Sequence, residues 1–247
     1  MGRLTDTIKH LLIINALFFI AAALYPDLTR SWLALWFPEH ENFQWWQIVT
    51  HMFMHGGIMH IVFNMYALYA FGTPLEQMWG KKKFLFFYFS AGLGSALLHT
   101  LMNYYGFSQG VDALVNAGFD KNQIMELVST GRYMESWSQT LSPDGLMDFA
   151  GSYAVPAVGA SGAIYGILVA FAFSFPEAEL MLIFLPVPIK AKFFVPVLIG
   201  LDLFSGFTGY SLFGQSIAHF AHVGGAIAGF VMMWYWKKNS FNKNRWD

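Results

Sequence analysis

Apolar residues run through this chain in long, nearly unbroken stretches, not at the alternating or three-to-four-residue spacing of half-buried elements. A helix that crosses a bilayer needs about 20 mostly apolar residues. Six stretches are candidates: residues 8–24, 48–71, 84–105, 155–175, 193–207 and 217–236. The fifth is the shortest, with Pro196 near its start and Gly200 inside it, so the pattern predicts a loosely held helix. The first follows a short basic start, as a signal peptide does, but no small-x-small cleavage site precedes Pro26, so it reads as a retained helix. The expected fold is an all-α membrane protein, a bundle of six transmembrane helices, with residues 1–247 forming one membrane domain.

Charge sets the orientation, because Lys and Arg gather on the cytoplasmic side of membrane proteins. With the N-terminus inside, Arg3, Lys9, Lys81, Lys82, Lys83, Lys190, Lys192, Lys237, Lys238, Lys243 and Arg245 are cytoplasmic. Only Arg30, Lys121 and Arg132 fall outside. Eleven against three favours an even number of spans with both termini cytoplasmic.

Composition agrees. Hydrophobic residues make up 56% and charged residues 12%, about half the usual charged share. The net charge of −1 offers no basic field, so nucleic acid is not an expected partner. The absence of cysteine excludes disulfides, a thiol nucleophile and thiolate-held metal.

Two connections on the external side are long. Residues 25–47 carry Trp32, Leu33, Leu35, Trp36, Phe37, Trp45 and Trp46. Tryptophan favours the membrane–water interface, so this loop is expected to lie partly in the outer leaflet. Residues 106–154 form a polar external insert. Within it Asp120 is placed to cap a helix, with Gln123 three residues on and an apolar stripe at Ile124, Met125, Leu127 and Val128.

Polar groups inside a span are functional candidates. The second span holds His51, His55, His60 and Asn64; the fourth, Gly159-Ala160-Ser161-Gly162; the sixth, His219 and His222. Ser161 lies 15 residues before Pro176 and His222 lies 15 before Lys237. Each is thus about 22 Å above the cytoplasmic boundary. His60, 14 residues before Pro74, is near the same level. Small residues four apart let helices approach closely, and Gly162/Gly166 and Gly225/Gly229 provide two such grooves. If the grooves face each other, Ser161 meets His222, and a serine hydroxyl needs such a base to become a nucleophile. His60 and Asn64 share a helical face and both can donate to an oxyanion, with the Ser161 amide as a third donor. No acid for His222 is evident: Asp202 is the only carboxylate well inside a span, and its span runs the opposite way, which favours a Ser–His dyad.

Singly, these residues have ordinary structural explanations: Ser-Gly steps and glycine pairs usually serve packing, and isolated histidines are usually satisfied core groups. Their coincidence in depth and groove carries the reading. His51 and His55 read as structural; His219, one turn above His222, reads as packing, with support of His222 as the alternative.

Together, His55-x4-His60-x3-Asn64, Gly159-Ala160-Ser161-Gly162 and Ala221-His222-x2-Gly225-x3-Gly229 resemble the three signature motifs of the rhomboid family, in the family's order and on its second, fourth and sixth helices. The resemblance runs from the first span to Trp236. It implies an intramembrane serine endopeptidase with no cofactor or metal. Ser161 would be the nucleophile and His222 the general base and acid; His60, Asn64, the Ser161 amide and Gly159 would form the oxyanion site. It implies a bacterial-type cytoplasmic-membrane protein whose partners are the lipid bilayer and membrane-protein substrates with a transmembrane segment. Glu76 and Gly80 match a structural pattern of the family. Trp46-Gln47 stands where members often have Trp-Arg, which questions that loop's usual polar contacts.

Three rival readings have weaker support. A transporter lacks an inverted repeat and paired broken helices. A haem or metal protein finds a poor ligand pair in His60 and Asn64, and no His-Glu-x-x-His is present. A catalytically inactive rhomboid relative is opposed by the retained Ser161 and His222. Access to a buried site needs a gate, for which the fifth span and the segment Ser205-Gly206-Phe207-Thr208-Gly209-Tyr210 are the best candidates, with Phe204 and Phe207 as its cover.

Overall fold

The computed structural model describes residues 4–182, 185–208 and 218–240. Gly209, Tyr210, residue 217 and the charges Arg3, Lys243 and Arg245 therefore lie outside the described residues. Eleven α-helices and one hairpin are described. In order they are α1 (Asp6–Leu24), α2 (Pro26–Leu33), α3 (Gln47–Thr50), α4 (Ile58–Ala67), α5 (Thr73–Trp79), α6 (Lys81–Asn116), α7 (Lys121–Ser129), α8 (Pro143–Ala154) and α9 (Ser161–Ser174). The hairpin β1 (Glu179–Leu182) and β2 (Leu185–Lys190) follows, then α10 (Ala191–Thr208) and α11 (His219–Ser240). A π-turn joins α4 to α5, so Ile58–Trp79 is one continuous rod.

The six apolar stretches each contain a helix, with shifted limits, the fourth holding only the 14-residue α9. The second begins at Ile58, not residue 48: Gly56-Gly57 breaks the helix, and residues 47–53 instead form α3 and a 3-10 turn. The third continues to Asn116, well past residue 105 and into the insert. The fourth begins at Ser161, because Pro156 and Gly159 (φ +135°) keep residues 155–159 out of the helix. Ala157 pairs there with Leu35 in an antiparallel bridge. Among the described residues, four helices are long and apolar enough to cross a membrane: α1, the Ile58–Trp79 rod, α6 and α10. The chain is an integral, multi-pass helical membrane protein.

The hairpin is an element the apolar pattern did not announce. Pro186 and Pro188 deny a helix its amide donors, and Glu179 pairs with Lys190 across the strands.

At the centre α6, α9 and α11 touch backbone to backbone. A Cβ added at Gly225 would meet the Gly162 carbonyl at 1.8 Å, and one at Gly229 would meet Gly166 Cα at 2.7 Å. One at Gly224 would lie 2.6 Å from the Gly94 carbonyl of α6. The two glycine pairs named from the sequence thus face each other, and α6 closes the same seam from the other side.

Glu76 anchors the first helix to this core. Its buried carboxylate accepts from the Thr5 hydroxyl and from the backbone N–H groups of Thr7 (3.2 Å) and Ile8 (3.1 Å), at the positive end of α1. Gly80 turns the chain from α5 into α6 at φ +77°, where a side chain would be strained.

The insert has its own apolar cluster, in which Leu114, Ile124 and Trp137 are fully buried with Phe107, Phe149 and Tyr153 around them. Asp120 caps α7 by accepting from Gln123 N–H at 3.0 Å. Ile124 and Val128 turn inward, while Met125 and Leu127 are only partly buried. Phe37 of the long first connection joins this cluster, and Tyr153 donates to the Glu39 carbonyl.

Gln47 organises that connection. Its amide donates to the Ser31 and Asn42 carbonyls at 2.9 and 2.7 Å and accepts from the Gln44 N–H at 3.1 Å. At the position where the resemblance implies arginine, the glutamine thus makes polar contacts of its own to the loop backbone. Of the loop's aromatics, Trp36 and Phe37 are buried, whereas Trp32 and Trp45 are exposed.

Candidate active site

Ser161 is the first residue of α9, where backbone N–H groups have no partner within the helix. Its position follows from the Pro156–Gly159 break: the chain arrives extended, turns at Gly159, and starts the helix with the hydroxyl at its mouth. The Gly159 N–H is tied to the His51 carbonyl at 2.9 Å. His222 lies in the first turn of α11, and its Nε2 is 2.9 Å from Ser161 Oγ. The glycine seam, which begins at Gly162 and Gly225 just past these two residues, makes that approach possible.

Two residues complete the surroundings of His222. Tyr165, four residues after Ser161 and so on the same face of α9, stacks its ring on the imidazole at 4.2 Å and 12°. Asp202 of α10, buried at 7% exposure, places Oδ1 3.1 Å from His222 Nδ1. The reading of His222 as lacking a carboxylate is thus corrected. The antiparallel run of the fifth span was no obstacle, because level along the bundle matters, not direction. The same Oδ1 is 2.6 Å from Nδ1 of His219, which replaces simple packing as that residue's role, and Oδ2 accepts from the Tyr165 hydroxyl.

Proton positions follow from the partners. A carboxylate only accepts, so Nδ1 of His222 carries the proton and Nε2 is free to accept from Ser161. On α4, His60 Nδ1 accepts from the Gly56 N–H at 3.3 Å, so its Nε2 carries the proton. That Nε2 would be 2.9 Å from a Cβ at Gly159, and Ser161 Oγ 3.5 Å from the same atom. An N–H donor therefore points into the space beside Ser161. Asn64 lies one turn along α4, buried.

Behind Ser161 is a cleft of about 20 Å³, lined by Leu35, His51, Ser95, His99 and Gly159 among others. This is room for one water. His51, read as structural, thus borders the site; its Nδ1 is 2.8 Å from the Gln47 carbonyl. His55 stacks edge-on against His60 at 5.0 Å. Neither Tyr165 nor Ser95 is singled out by the sequence pattern, although the i+4 spacing of Tyr165 from Ser161 is a usable signal. No cluster of three or more metal-ligating side chains occurs among the described residues.

Comparison with known proteins adds an independent line. Residues 42–239 match the family model described as Rhomboid domain. The chain is 37% identical over 86 residues to Rhomboid-like protease 3 of Toxoplasma gondii, covering 35% of this chain and 32% of that one. It is 28% identical over 184 residues to the Presenilin-associated rhomboid-like protein, mitochondrial, of Rattus norvegicus, covering 74% and 35%. With Rhomboid protease GluP of Bacillus subtilis it shares 39% identity over 54 residues, 22% and 11% of the two chains. The matched region spans about a third or less of each of these relatives.

Proposed function

This chain belongs to the rhomboid family, and on that premise we propose that it is a serine endopeptidase that cleaves transmembrane or membrane-proximal segments of other membrane proteins. The observation that carries the proposal is the 2.9 Å contact between Ser161 Oγ and His222 Nε2, made across two helices by residues 61 positions apart.

The chemistry follows from that contact. As Ser161 Oγ attacks a scissile carbonyl, its proton passes to His222 Nε2. The negative charge moves to the carbonyl oxygen, which takes hydrogen bonds from the Ser161 amide, His60 Nε2–H and Asn64, with Gly159 leaving the space open. His222 then returns the proton to the leaving amine. Water from the cleft behind Ser161, activated by the same imidazole, releases the acyl group. Neither metal nor cofactor is required by this sequence of steps.

The substrate must present an unwound peptide, because a helix hides its carbonyls in backbone hydrogen bonds. Membrane proteins with an unstable transmembrane segment are therefore the partners, and the membrane is proposed to be a bacterial cytoplasmic membrane, as the Bacillus subtilis relative is bacterial. Residues 1–247 act in this reading as one membrane domain with residues 106–154 as its insert. The test is cleavage of a single-span reporter in reconstituted vesicles, lost in Ser161→Ala. An inactive, substrate-binding relative would bind the reporter in both forms and cut it in neither.

A further inference from the structure

Asp202 of α10 is tied to both histidines at the start of α11. It is buried, and both of its oxygens are engaged: Oδ1 with His219 at 2.6 Å and His222 at 3.1 Å, and Oδ2 with the Tyr165 hydroxyl. A carboxylate inside a helical bundle is costly unless donors surround it. Here three donors do so, and two of them, His222 and Tyr165, are stacked on each other. The ring of His222 is thereby held by a plane on one side and by an acceptor at Nδ1.

We propose that Asp202 is a positioning residue, which fixes His222 as the Nδ1–H tautomer with Nε2 turned to Ser161. A neutral imidazole has one proton and two nitrogens, and only the tautomer with a bare Nε2 can take the serine proton. When it does, the imidazolium formed lies against an anion already in place, and no proton need pass to Asp202. The inference rests on the serine-protease reading above and deepens it, turning a pair of groups into a buried chain of Ser161, His222 and Asp202. Because the carboxylate rides on α10, any separation of α10 from α11 also takes it away from the base. A residue that merely fastened α10 to its neighbours would affect stability and leave the tautomer alone.

The test uses the full chain in detergent and in vesicles, with His side chains labelled with ¹⁵N. In the wild type, the His222 signals, identified by their loss in His222→Ala, should show a protonated Nδ1 and an unprotonated Nε2. Asp202→Asn should reverse or mix the tautomers and lower kcat by roughly 10²- to 10⁴-fold, the larger figure matching an equivalent carboxylate-to-amide change in a soluble serine protease. KM should barely move, and Asp202→Glu should recover part of kcat. An unchanged kcat in folded Asp202→Asn overturns the proposal. So does a wild-type His222 that carries its proton on Nε2, an observation that decides the matter even if the variant does not fold. Absence of turnover in the wild type itself would instead sink the protease reading, while the tautomer would still report on Asp202.

Discussion

Ser161 and His222 stand 61 residues apart in sequence, yet Oγ and Nε2 lie 2.9 Å apart, and the backbones of the two helices that carry them meet at glycines. The distance is a consequence of the seam. Gly225 abuts the Gly162 carbonyl, so the separation of the backbones and the reach of the imidazole are set together.

Gly225→Ala should therefore damage activity more than its size suggests. Its Cβ would overlap the Gly162 carbonyl and force α11 outward. Overpacking of this kind costs about 1–3 kcal/mol, and a 1 Å displacement of reacting groups costs roughly 10²-fold in rate. Gly200→Ala, where no atom lies within 4 Å of the new Cβ, is the matched control and should cleave the reporter normally. Equal rates for the two variants would refute the seam argument.

Asn64→Ala should be slower by about 100- to 1000-fold, the usual effect of losing one oxyanion donor. It should still be acylated by a reactive serine probe, because the nucleophile and its base are untouched. Loss of the folded protein would assign Asn64 to structure instead.

Glu76→Ala removes three acceptor contacts from the start of α1. The buried N–H groups of Thr7 and Ile8 are then left unsatisfied, at about 1–3 kcal/mol for each such group. The melting temperature in detergent should fall. The fraction that remains folded should retain its rate of probe labelling, since Glu76 is remote from Ser161 in the fold.

Beyond the spans, hydrogen bonds from Lys190 and then Lys192 pull the Glu177 carboxyl from an ordinary 4.5 down to about 2. A folded-state value below the unfolded one means that the pairing stabilises the hairpin above the ordinary value and is lost as pH falls toward 2. The groups are exposed, so the effect is small and weakened by salt. Amide exchange across β1 and β2 should be faster in Glu177→Gln than in wild type at neutral pH, with the difference gone near pH 2. A difference that persists in acid contradicts the assignment.

Much of this was legible in the sequence, and the gaps have physical causes. Six apolar stretches announced the helical bundle because hydrocarbon tolerates few charges. Ser161 and His222 stood out because both are polar and both sit 15 residues before the end of an apolar stretch, at Pro176 and Lys237. Their helix limits were less visible: Pro156 and Gly159 start α9 at Ser161, while residues 155–160 are just as apolar as a helix. Asp202 is visible as an intramembrane carboxylate, but a helix running the other way gives no simple depth count that pairs it with His222. Tyr165 was hidden because an aromatic residue in a membrane helix looks like packing. Gln47 was obscured in another way: its value lies in four local backbone partners, which no pattern along the chain displays.

The central claim is that Ser161 is a nucleophile made reactive by His222. The direct measurement is labelling of the purified protein with a fluorophosphonate, followed by mass-spectrometric mapping of the adduct. One adduct on Ser161, absent from Ser161→Ala and strongly reduced in folded His222→Ala, is the predicted result. Labelling that persists in Ser161→Ala, or that proceeds at the wild-type rate without the His222 imidazole, would contradict the account.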